Sequence, residues 1–287
     1  MTTPDVRNAW IEYAAAPSAG LQDAAARSGL GGYGGLFGGL GAFLSAQERE
    51  ASLRFRRAAD VLDYAASHAL FRLLAARRLG LTPGAASGLD VRRTCAGCGS
   101  TGHGKPSIEG VALSLSRSHG TVMAAAAPAG ASLGVDIERV PAEVFAGFDD
   151  FALAPEERTA PDGAGLNDAG LTGSGLTDAG LTDAGRIRLW VAKAAALKAA
   201  GVGLALDPSG VRLVPAVSGG PAGTLLAECP GNSAVHGLLV TPIPAPGGYA
   251  AAVAAPAGLT PRAVSLGEIF ATKGQAANVK RLTFGYG

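Results

Sequence analysis

The sequence predicts an α+β protein made of two similar subdomains, each a long helix packed on a small antiparallel sheet. Two segments have strong helical patterning, residues 54–80 and 186–201, and each is followed by short segments with strand patterning. The order helix, strands, helix, strands is that of two α+β halves with a similar layout. The predicted divisions are a flexible glycine-rich arm over 1–43, halves over 44–131 and 132–255, and a tail over 256–287.

The first half begins with signals for a helix. Ser45 is followed three residues later by Glu48, a spacing typical of a capping box at a helix N-terminus. A long helix over residues 54–80 is predicted next, and Gly80 is a suitable end for it. Apolar residues recur along this helix at helical spacing, at Val61, Ala65, Ala69 and Leu73.

Strand patterning follows the first helix. Within residues 111–127 leucine alternates with serine at first, which predicts two strands around a tight turn. Residues 131–140, ASLGVDIERV, predict a third strand, and a short helix entered through Pro155 comes after it. The centre of the chain is therefore predicted to join the strands of the first half to the start of the second.

A five-residue repeat interrupts the second half at residues 165–184, with the sequence GLNDA-GLTGS-GLTDA-GLTDA. Its period matches neither a helix nor a strand, so a solvent-exposed insertion is predicted. Calcium binding is disfavoured, because the spacing lacks the register of calcium-binding β-helix repeats. Residues 186–201 predict the second long helix, and four short antiparallel strands follow in GVRLVPA, GTLLAEC, HGLLVTPI and YAAAVAA.

Bulk composition limits the function classes. Hydrophobic residues make up 48% of the 287 residues and charged residues 16%, which supports a substantial core. The formal net charge of +1 gives no global field that favours nucleic acid or a membrane surface. The three cysteines, the lack of an apolar run of ~20 residues and the lack of a signal-peptide profile predict a cytoplasmic protein.

Two carboxylates in the third strand are the strongest chemical signal. Asp136 and Glu138 are two residues apart, so they share one face of a strand, with Val135 and Ile137 on the other face. Carboxylates so close repel unless a cation lies between them, and their hard oxygen atoms suit Mg²⁺, which also recruits phosphates. From spacing alone, a sheet edge with two solvated acids is the more common arrangement.

The surroundings of this pair favour the metal interpretation. GVDIERV at 134–140 and LWVAKAAALKAAGVGL at 189–204 resemble the paired signature of the 4′-phosphopantetheinyl transferases, most closely the single-chain surfactin-synthetase-activating type with two pseudo-symmetric halves. Further segments resemble the motifs of the family in the same order: LSAQEREASLRFRR, HALFRLLAARRLG, GHGKPSI, LSLSRSHG and FALAPEERTA. The resemblance covers residues 44–255 and implies the fold of these transferases.

The resemblance also implies an activity, the transfer of phosphopantetheine from coenzyme A to a serine of an acyl or peptidyl carrier protein in polyketide or nonribosomal peptide biosynthesis. Mg²⁺ is the implied cofactor, and the implied partners include neither nucleic acid nor membrane. Asp136 and Glu138 match the metal ligands, and both are catalytic candidates together with Lys193. The candidates for contacts with coenzyme A phosphates are Lys105, Arg117, Lys193 and Lys198.

One position departs from the family pattern. The helix signature normally has a glutamate directly after its first lysine, where this chain has Ala194. In the family that glutamate is a metal ligand and the favoured general base, and alanine performs neither role. Water, Glu156 and Glu157 are the candidate substitutes. Three interpretations remain open: a working transferase, a silent relative that binds a carrier protein or coenzyme A, and an enzyme repurposed for different biosynthetic chemistry.

A Cys-x-x-Cys motif is the remaining feature with metal-binding potential. It consists of Cys95 and Cys98, and His103 follows five residues later. A structural zinc site needs four ligands, and Cys229 is the sole further cysteine of the sequence. Because the ligand set is short, a plain loop is the favoured interpretation.

Overall fold

The computed structural model describes residues 10–31, 37–94, 99–101, 104–158, 176–177 and 180–271, which have mixed α+β content with antiparallel sheets. The α-helices in chain order are α1 (Ser18–Arg27), α2 (Ala46–Ser52), α3 (Ala58–Arg78), α4 (Phe148–Ala152), α5 (Pro155–Arg158), α6 (Asp183–Ala200) and α7 (Leu266–Phe270). None of these described helices combines the length and the apolar character that crossing a bilayer demands. The strands are β1 (Trp10–Pro17), β2 (Arg92–Thr94), β3 (Lys105–Ser107), β4 (Val111–Ser118), β5 (Thr121–Pro128), β6 (Gly134–Arg139), β7 (Leu176–Thr177), β8 (Gly180–Leu181), β9 (Arg212–Pro215), β10 (Leu225–Glu228), β11 (Leu239–Ile243), β12 (Tyr249–Ala255) and β13 (Thr260–Ala263).

The first large sheet has the strand order β13-β1-β5-β4. Strands β1, β5 and β4 run antiparallel to one another, whereas β13 pairs with β1 in parallel. The predicted tight turn joins β4 to β5, and its two residues His119 and Gly120 both have positive φ, as a two-residue hairpin favours. Helix α3 packs on one face of the sheet through a cluster that includes Leu70, Phe71 and Leu74.

Strand β1 and helix α1 correct the prediction of a flexible arm over residues 1–43. Strand β1 is mostly buried between β13 and β5, and Leu21 and Ala25 of α1 belong to the core of the first half. The sequence WIEYAAAP is rich in alanine, so it lacks the alternation from which a half-buried strand is recognised. The glycine-rich residues 32–36 lie outside the described residues.

The predicted tail over residues 256–287 also belongs to the first half in part. Strand β13 lies along β1 at the edge of the first sheet, and Val264, Ile269 and Phe270 join the same core. The sequence did not predict β13 because the strand has only four residues and contains a proline, so its strand patterning is weak. Residues 272–287 lie outside the described residues.

The helices of the first half follow their sequence signals. Ser45 Oγ accepts a hydrogen bond from the Glu48 amide, and the Glu48 carboxylate accepts one from the Ser45 amide, which confirms the predicted capping box. Helix α3 begins at Ala58, later than the predicted residue 54, and Gly80 follows its end with a positive φ. Glycine tolerates this left-handed conformation without strain.

The second large sheet has the strand order β6-β12-β11-β10-β9 and is antiparallel throughout. Its five strands are those that the sequence predicts in the second half. Helix α6 packs across β6 and β12, and the approach is closest at Gly134. A Cβ atom there would lie 1.9 Å from the Ala195 carbonyl oxygen and 2.4 Å from the Ala199 amide nitrogen, so the packing requires glycine.

The two large sheets face each other across a shared apolar layer. Along β5, Ala124 faces α3 whereas Met123 and Ala125 face the second sheet. Along β12, Ala252 faces α6 and Val253 faces the first sheet. Each sheet therefore carries one long helix on its outer face, while the pseudo-symmetry of the two halves stays a prediction.

The pentad repeat is described only near its end. Strands β7 and β8 form a short hairpin, and the Thr182 hydroxyl caps α6 by accepting a hydrogen bond from the Gly185 amide at 3.1 Å. Residues 182–184 therefore belong to the start of a helix and not to an insertion. The rest of the repeat lies outside the described residues, as do Cys95, Cys98 and His103.

Candidate functional site

Strand β6 places two carboxylates beside helix α6. Asp136 and Glu138 alternate with Val135 and Ile137, which lie in the apolar layer between the sheets. Asp136 contacts the helix directly through Lys198. The carboxylates thus lie where strand alternation predicts them, at the seam where β4 of the first sheet runs beside β6 of the second.

Three alternating serines of β4 bridge this seam. The Ser114 hydroxyl accepts a hydrogen bond from the Val135 amide at 3.0 Å. The Ser116 hydroxyl donates to Asp136 Oδ1 at 2.8 Å, and the Ser118 hydroxyl donates to Glu138 Oε2 at 2.6 Å. The sequence shows the alternation of these serines but not their partners. Among the described residues, β4 and β6 belong to different sheets and form no ladder of backbone hydrogen bonds. The serine hydroxyl groups therefore join the two sheets along this seam.

Asp136 is held by one oxygen atom and free at the other. Lys198 Nζ lies 2.6 Å from Asp136 Oδ1 and donates to it, and it also donates to Ser116 Oγ at 3.0 Å. Asp136 is only 3% exposed, yet its Oδ2 atom has no hydrogen-bond partner within the described part of the chain. A buried carboxylate oxygen without a partner is costly, so it marks a place where a ligand would be stabilised.

Glu138 completes the pair at the same face of β6. Its carboxylate is half-buried and accepts from Ser118. Burial raises the pKa of Glu138 above its usual range; the Ser118 hydrogen bond opposes this shift and the Asp136 charge adds to it. Burial is thus the main cause of the raised pKa, and metal binding by the pair stays a prediction.

Ala194 lies one turn before Lys198 on the same side of α6 and is almost fully buried. No carboxylate approaches the pair from this helix position. The described ranges of the chain contain no group of three His, Cys, Asp or Glu side chains suited to a metal ion. Of the candidate substitutes for the base, Glu156 is exposed and Glu157 is buried in a different ion pair.

Lys193 does not reach the carboxylates of β6. Its side chain is fully buried, and Nζ donates to Glu157 Oε2 at 2.5 Å and to the Ala152 carbonyl oxygen at 2.7 Å. Burial lowers the pKa of Lys193, and the charge of Glu157 opposes that shift. Lys193 is five residues from Lys198 and therefore about 140° away around the helix. In this structure Lys193 is engaged with Glu157 and the Ala152 carbonyl group, and its catalytic and phosphate-binding role stays a prediction.

Lys105 binds the end of α6. Its Nζ donates to three carbonyl oxygen atoms, those of Leu133 at 3.0 Å, Lys198 at 3.0 Å and Ala199 at 3.1 Å. Two of these belong to the last turn of the helix, where carbonyl groups lack helical partners. Burial lowers the pKa of Lys105. The ammonium group of Lys105 is therefore engaged with backbone carbonyl groups, and its contact with a phosphate stays a prediction.

Arg117 lies on the other face of β4 from the three serines. Its guanidinium is 5.3 Å from the ring centroid of Phe55 and 5.3 Å from that of Tyr64. Such a distance is typical of a cation–π contact. The structure thus places Arg117 against the α3 side of the first sheet, away from the carboxylates, and its predicted phosphate contact stays a prediction.

A cavity of about 480 Å³ opens between the two halves beside Lys198. Its lining includes His68, Arg93, Lys105, Ser114, Lys198 and the turn at 201–203. Three cations in one cavity suit a ligand with several phosphates. Sequence reasoning did not single out Arg93, because a basic residue in a short strand has no distinctive pattern.

His68 of helix α3 is a further residue of the cavity wall. Its ring stacks on Tyr64 with centroids 4.1 Å apart, and Nδ1 lies 3.0 Å from Glu48 Oε1. Burial lowers the pKa of His68, against the opposing effect of Glu48. The wall of the cavity on this side therefore contains the imidazole ring of His68.

Comparison with known families finds a similarity in the second half of the chain. Residues 132–254 match the model of the 4′-phosphopantetheinyl transferase superfamily. The matched range contains strand β6, helix α6 and the rest of the second sheet, and hence Asp136, Glu138 and Lys198. A comparison with curated proteins finds no match. The family match indicates phosphopantetheine transfer at the level of the superfamily, whose members use coenzyme A and a carrier protein.

Proposed function

We propose that this protein transfers 4′-phosphopantetheine from coenzyme A to a serine of an acyl or peptidyl carrier protein of secondary metabolism. The observation that carries the proposal is the contact between Asp136 and Lys198 beside the cavity of about 480 Å³. This contact lies inside the range that matches the superfamily. A carboxylate pair, a partly exposed lysine and a cavity with several positive charges suit a pyrophosphate substrate.

Coenzyme A would occupy the cavity between the two halves. Lys198 and Arg93 are the cations available to its phosphates, because the ammonium group of Lys105 is occupied by carbonyl oxygen atoms. The ring of His68 would pack against the uncharged part of the ligand. In the transfer, the serine oxygen bonds to the phosphorus that carries the pantetheine arm. The bond from that phosphorus to the bridging oxygen breaks, and adenosine 3′,5′-bisphosphate leaves with the electron pair.

The residues present fit a divalent cation with few protein ligands. Asp136 offers the buried Oδ2 atom that has no partner among the described residues, and Glu138 lies on the same face. Mg²⁺ commonly binds one or two carboxylates and keeps water or substrate phosphates in its other positions. When bound, the ion would supply positive charge to the pyrophosphate. Asp136 and Glu138 are the residues that would hold it.

The proton of the carrier serine has no carboxylate acceptor at position 194. Glu157 does not replace it, because it is fixed by Lys193 and by the Leu213 amide at 2.9 Å. The proton therefore passes to water in this proposal. Since a positioned general base contributes about 10²–10⁴ in rate, we expect slow transfer.

Mass spectrometry of a carrier protein tests the proposal. The full-length protein is incubated with coenzyme A, Mg²⁺ and an apo carrier protein, and we expect the carrier to gain the mass of the arm. Ala194→Glu should increase the rate by about 10² or more if the missing base limits transfer. Asp136→Asn should abolish the gain, whereas Arg212→Met, at an exposed ion pair with Glu228, should not change it.

Ala194 favours a second candidate function, the binding of coenzyme A or a carrier protein without transfer. No mass gain with the natural sequence, but a gain with Ala194→Glu, would support this degenerate transferase. No gain with either protein, together with tight binding of coenzyme A by calorimetry, would support a different reaction in the same cavity. Failure to bind either coenzyme A or the carrier protein would overturn every form of the proposal.

A further inference from the structure

We infer that Lys198 is a built-in counter-cation of Asp136 that competes with a divalent metal ion, so that the metal binds strongly only together with a pyrophosphate ligand. The inference rests on the proposed function, because it takes the same carboxylates as the metal site. It concerns the order and the coupling of binding, which the family match does not address.

The carboxylate that would hold a metal ion, Asp136, already has the positive charge of Lys198 beside it. Lys198 Nζ is 2.6 Å from Oδ1, and the Ser116 hydroxyl donates to the same oxygen at 2.8 Å. Only Oδ2 remains without a partner among the described residues, and the carboxylate is 3% exposed. A divalent ion at Oδ2 would therefore lie close to an ammonium group in a poorly solvated place, where like charges repel strongly.

Ala194 makes this competition more severe. Two carboxylates and one ammonium group leave at most a single net negative charge at the seam, since Asp136 and Glu138 contribute two negative charges and Lys198 one positive charge. A third carboxylate at position 194 would have raised the negative charge and offset the lysine. Without it, a metal ion alone finds few ligands and an unfavourable neighbour.

A pyrophosphate ligand relieves the conflict. The side chain of Lys198 is 38% exposed and lines the cavity, so its ammonium group has room to leave Asp136 for a phosphate oxygen. Phosphate oxygen atoms also bind the metal directly and add negative charge. Each ligand therefore favours the other, and the coupling is the same whichever binds first.

Manganese binding to the full-length protein tests this inference without any transfer reaction. Free Mn²⁺ is measured by electron paramagnetic resonance in titrations with and without coenzyme A. In the natural sequence we expect coenzyme A to increase the Mn²⁺ affinity by about 10-fold or more. Lys198→Met should increase the affinity for Mn²⁺ alone by about 10-fold or more, because it removes the competing charge.

Two further variants keep the result interpretable. Lys198→Gln preserves a hydrogen-bond donor without the charge, and it should bind Mn²⁺ alone as tightly as Lys198→Met does. Arg212→Met removes one positive charge at an exposed position and should bind Mn²⁺ as the natural sequence does. Circular dichroism and thermal unfolding verify that each variant folds.

The outcomes separate the inference from the proposed function. If both Lys198 variants fold but bind Mn²⁺ alone no better than the natural sequence, the competition does not exist and the inference is overturned. If coenzyme A binds but leaves the Mn²⁺ affinity unchanged, the coupling is overturned while coenzyme A remains a ligand. If coenzyme A does not bind with or without Mn²⁺, the proposed function itself fails.

Discussion

Helix α6 carries two lysines that differ completely in their surroundings. Lys193 is fully buried and forms an ion pair with Glu157. The carboxylate of Glu157 also accepts hydrogen bonds from the Ala154 amide at 2.8 Å and from the Leu213 amide at 2.9 Å. Lys198 is partly exposed against Asp136, whose second oxygen atom has no partner among the described residues. Both carboxylate oxygen atoms of Glu157 have hydrogen-bond partners, and we call this ion pair closed. One oxygen atom of Asp136 has no partner among the described residues, and we call that ion pair open.

From this difference we expect the Lys193 pair to support the fold and the Lys198 pair to bind a ligand. A buried pair with every hydrogen bond satisfied is sensitive to the loss of either partner, because the charge that remains has no compensation. An incomplete pair beside a cavity keeps one polar atom for a ligand and tolerates rearrangement. The comparison predicts that changes at Lys193 affect stability, whereas changes at Lys198 and Asp136 affect binding.

The largest effect is expected from Lys193→Met. This change leaves Glu157 buried without its cation, so the free energy of unfolding in urea should fall by about 3–5 kcal/mol. The double variant Lys193→Met/Glu157→Leu should recover much of the loss, because both charges are then absent. A loss below about 1 kcal/mol, combined with loss of coenzyme A binding, would return Lys193 to the role that its sequence motif predicts.

Gly134→Ala tests the close packing that brings Lys198 within reach of Asp136. The new Cβ atom would collide with backbone atoms of Ala195 and Ala199, so we expect a loss of about 3 kcal/mol in unfolding free energy. Gly84→Ala is a matched control, because a Cβ atom there has no neighbour within 4 Å. Equal effects of the two changes would show that α6 is not packed as closely on β6 as described.

Glu48 in the first half is another carboxylate whose oxygen atoms have hydrogen-bond partners. Its effect on stability is expected to depend on pH. Burial of Glu48 raises its pKa, but contacts with His68, Ser45 and Arg72 more than offset this and lower the pKa from 4.5 to about 2. A depressed carboxyl pKa contributes stability above pH 4.5 that is lost as the pH falls toward about 2.

Glu48→Gln removes this contribution. We expect its unfolding free energy at pH 7 to be lower by roughly 2–3 kcal/mol and to fall less than that of the natural sequence between pH 4.5 and pH 2. Urea unfolding at a series of pH values measures both quantities. Parallel pH profiles for the two proteins would contradict the closed network around Glu48.

The smallest effect on stability is expected from Asp136→Asn. Lys198 can extend into solvent once its partner is neutral, so the unfolding free energy should change by less than about 1 kcal/mol. The same chemical change at the closed pair, Glu157→Gln, should cost more than about 2 kcal/mol. Equal costs at both positions would remove the distinction between the two pairs.

The sequence was a good guide to regular elements with clear patterning. The capping box at Ser45, the hairpin turn at His119 and the shared face of Asp136 and Glu138 follow from local rules, and each is confirmed. Strand β1 was not recognised, because alanine fits either secondary structure and leaves no alternation to read.

The roles of individual charges were less predictable. A lysine in a helix motif has the same sequence whether it faces a cavity or a buried acid, so the sequence does not reveal the ion pair of Lys193 with Glu157. The contacts of Lys105 with the carbonyl groups of α6 depend on the juxtaposition of two distant segments. Arg93 reaches the cavity for the same reason, and its sequence context gives no indication of it.

The parallel pairing of β13 with β1 has a consequence for how the protein is made. The ribosome synthesises β1 early, but β13 emerges only after the whole second sheet has left the exit tunnel. Until then the outer edge of β1 displays unpaired backbone groups, which are open to pairing with other chains. Folding of the first sheet is therefore completed by a strand that follows the whole second sheet in the sequence.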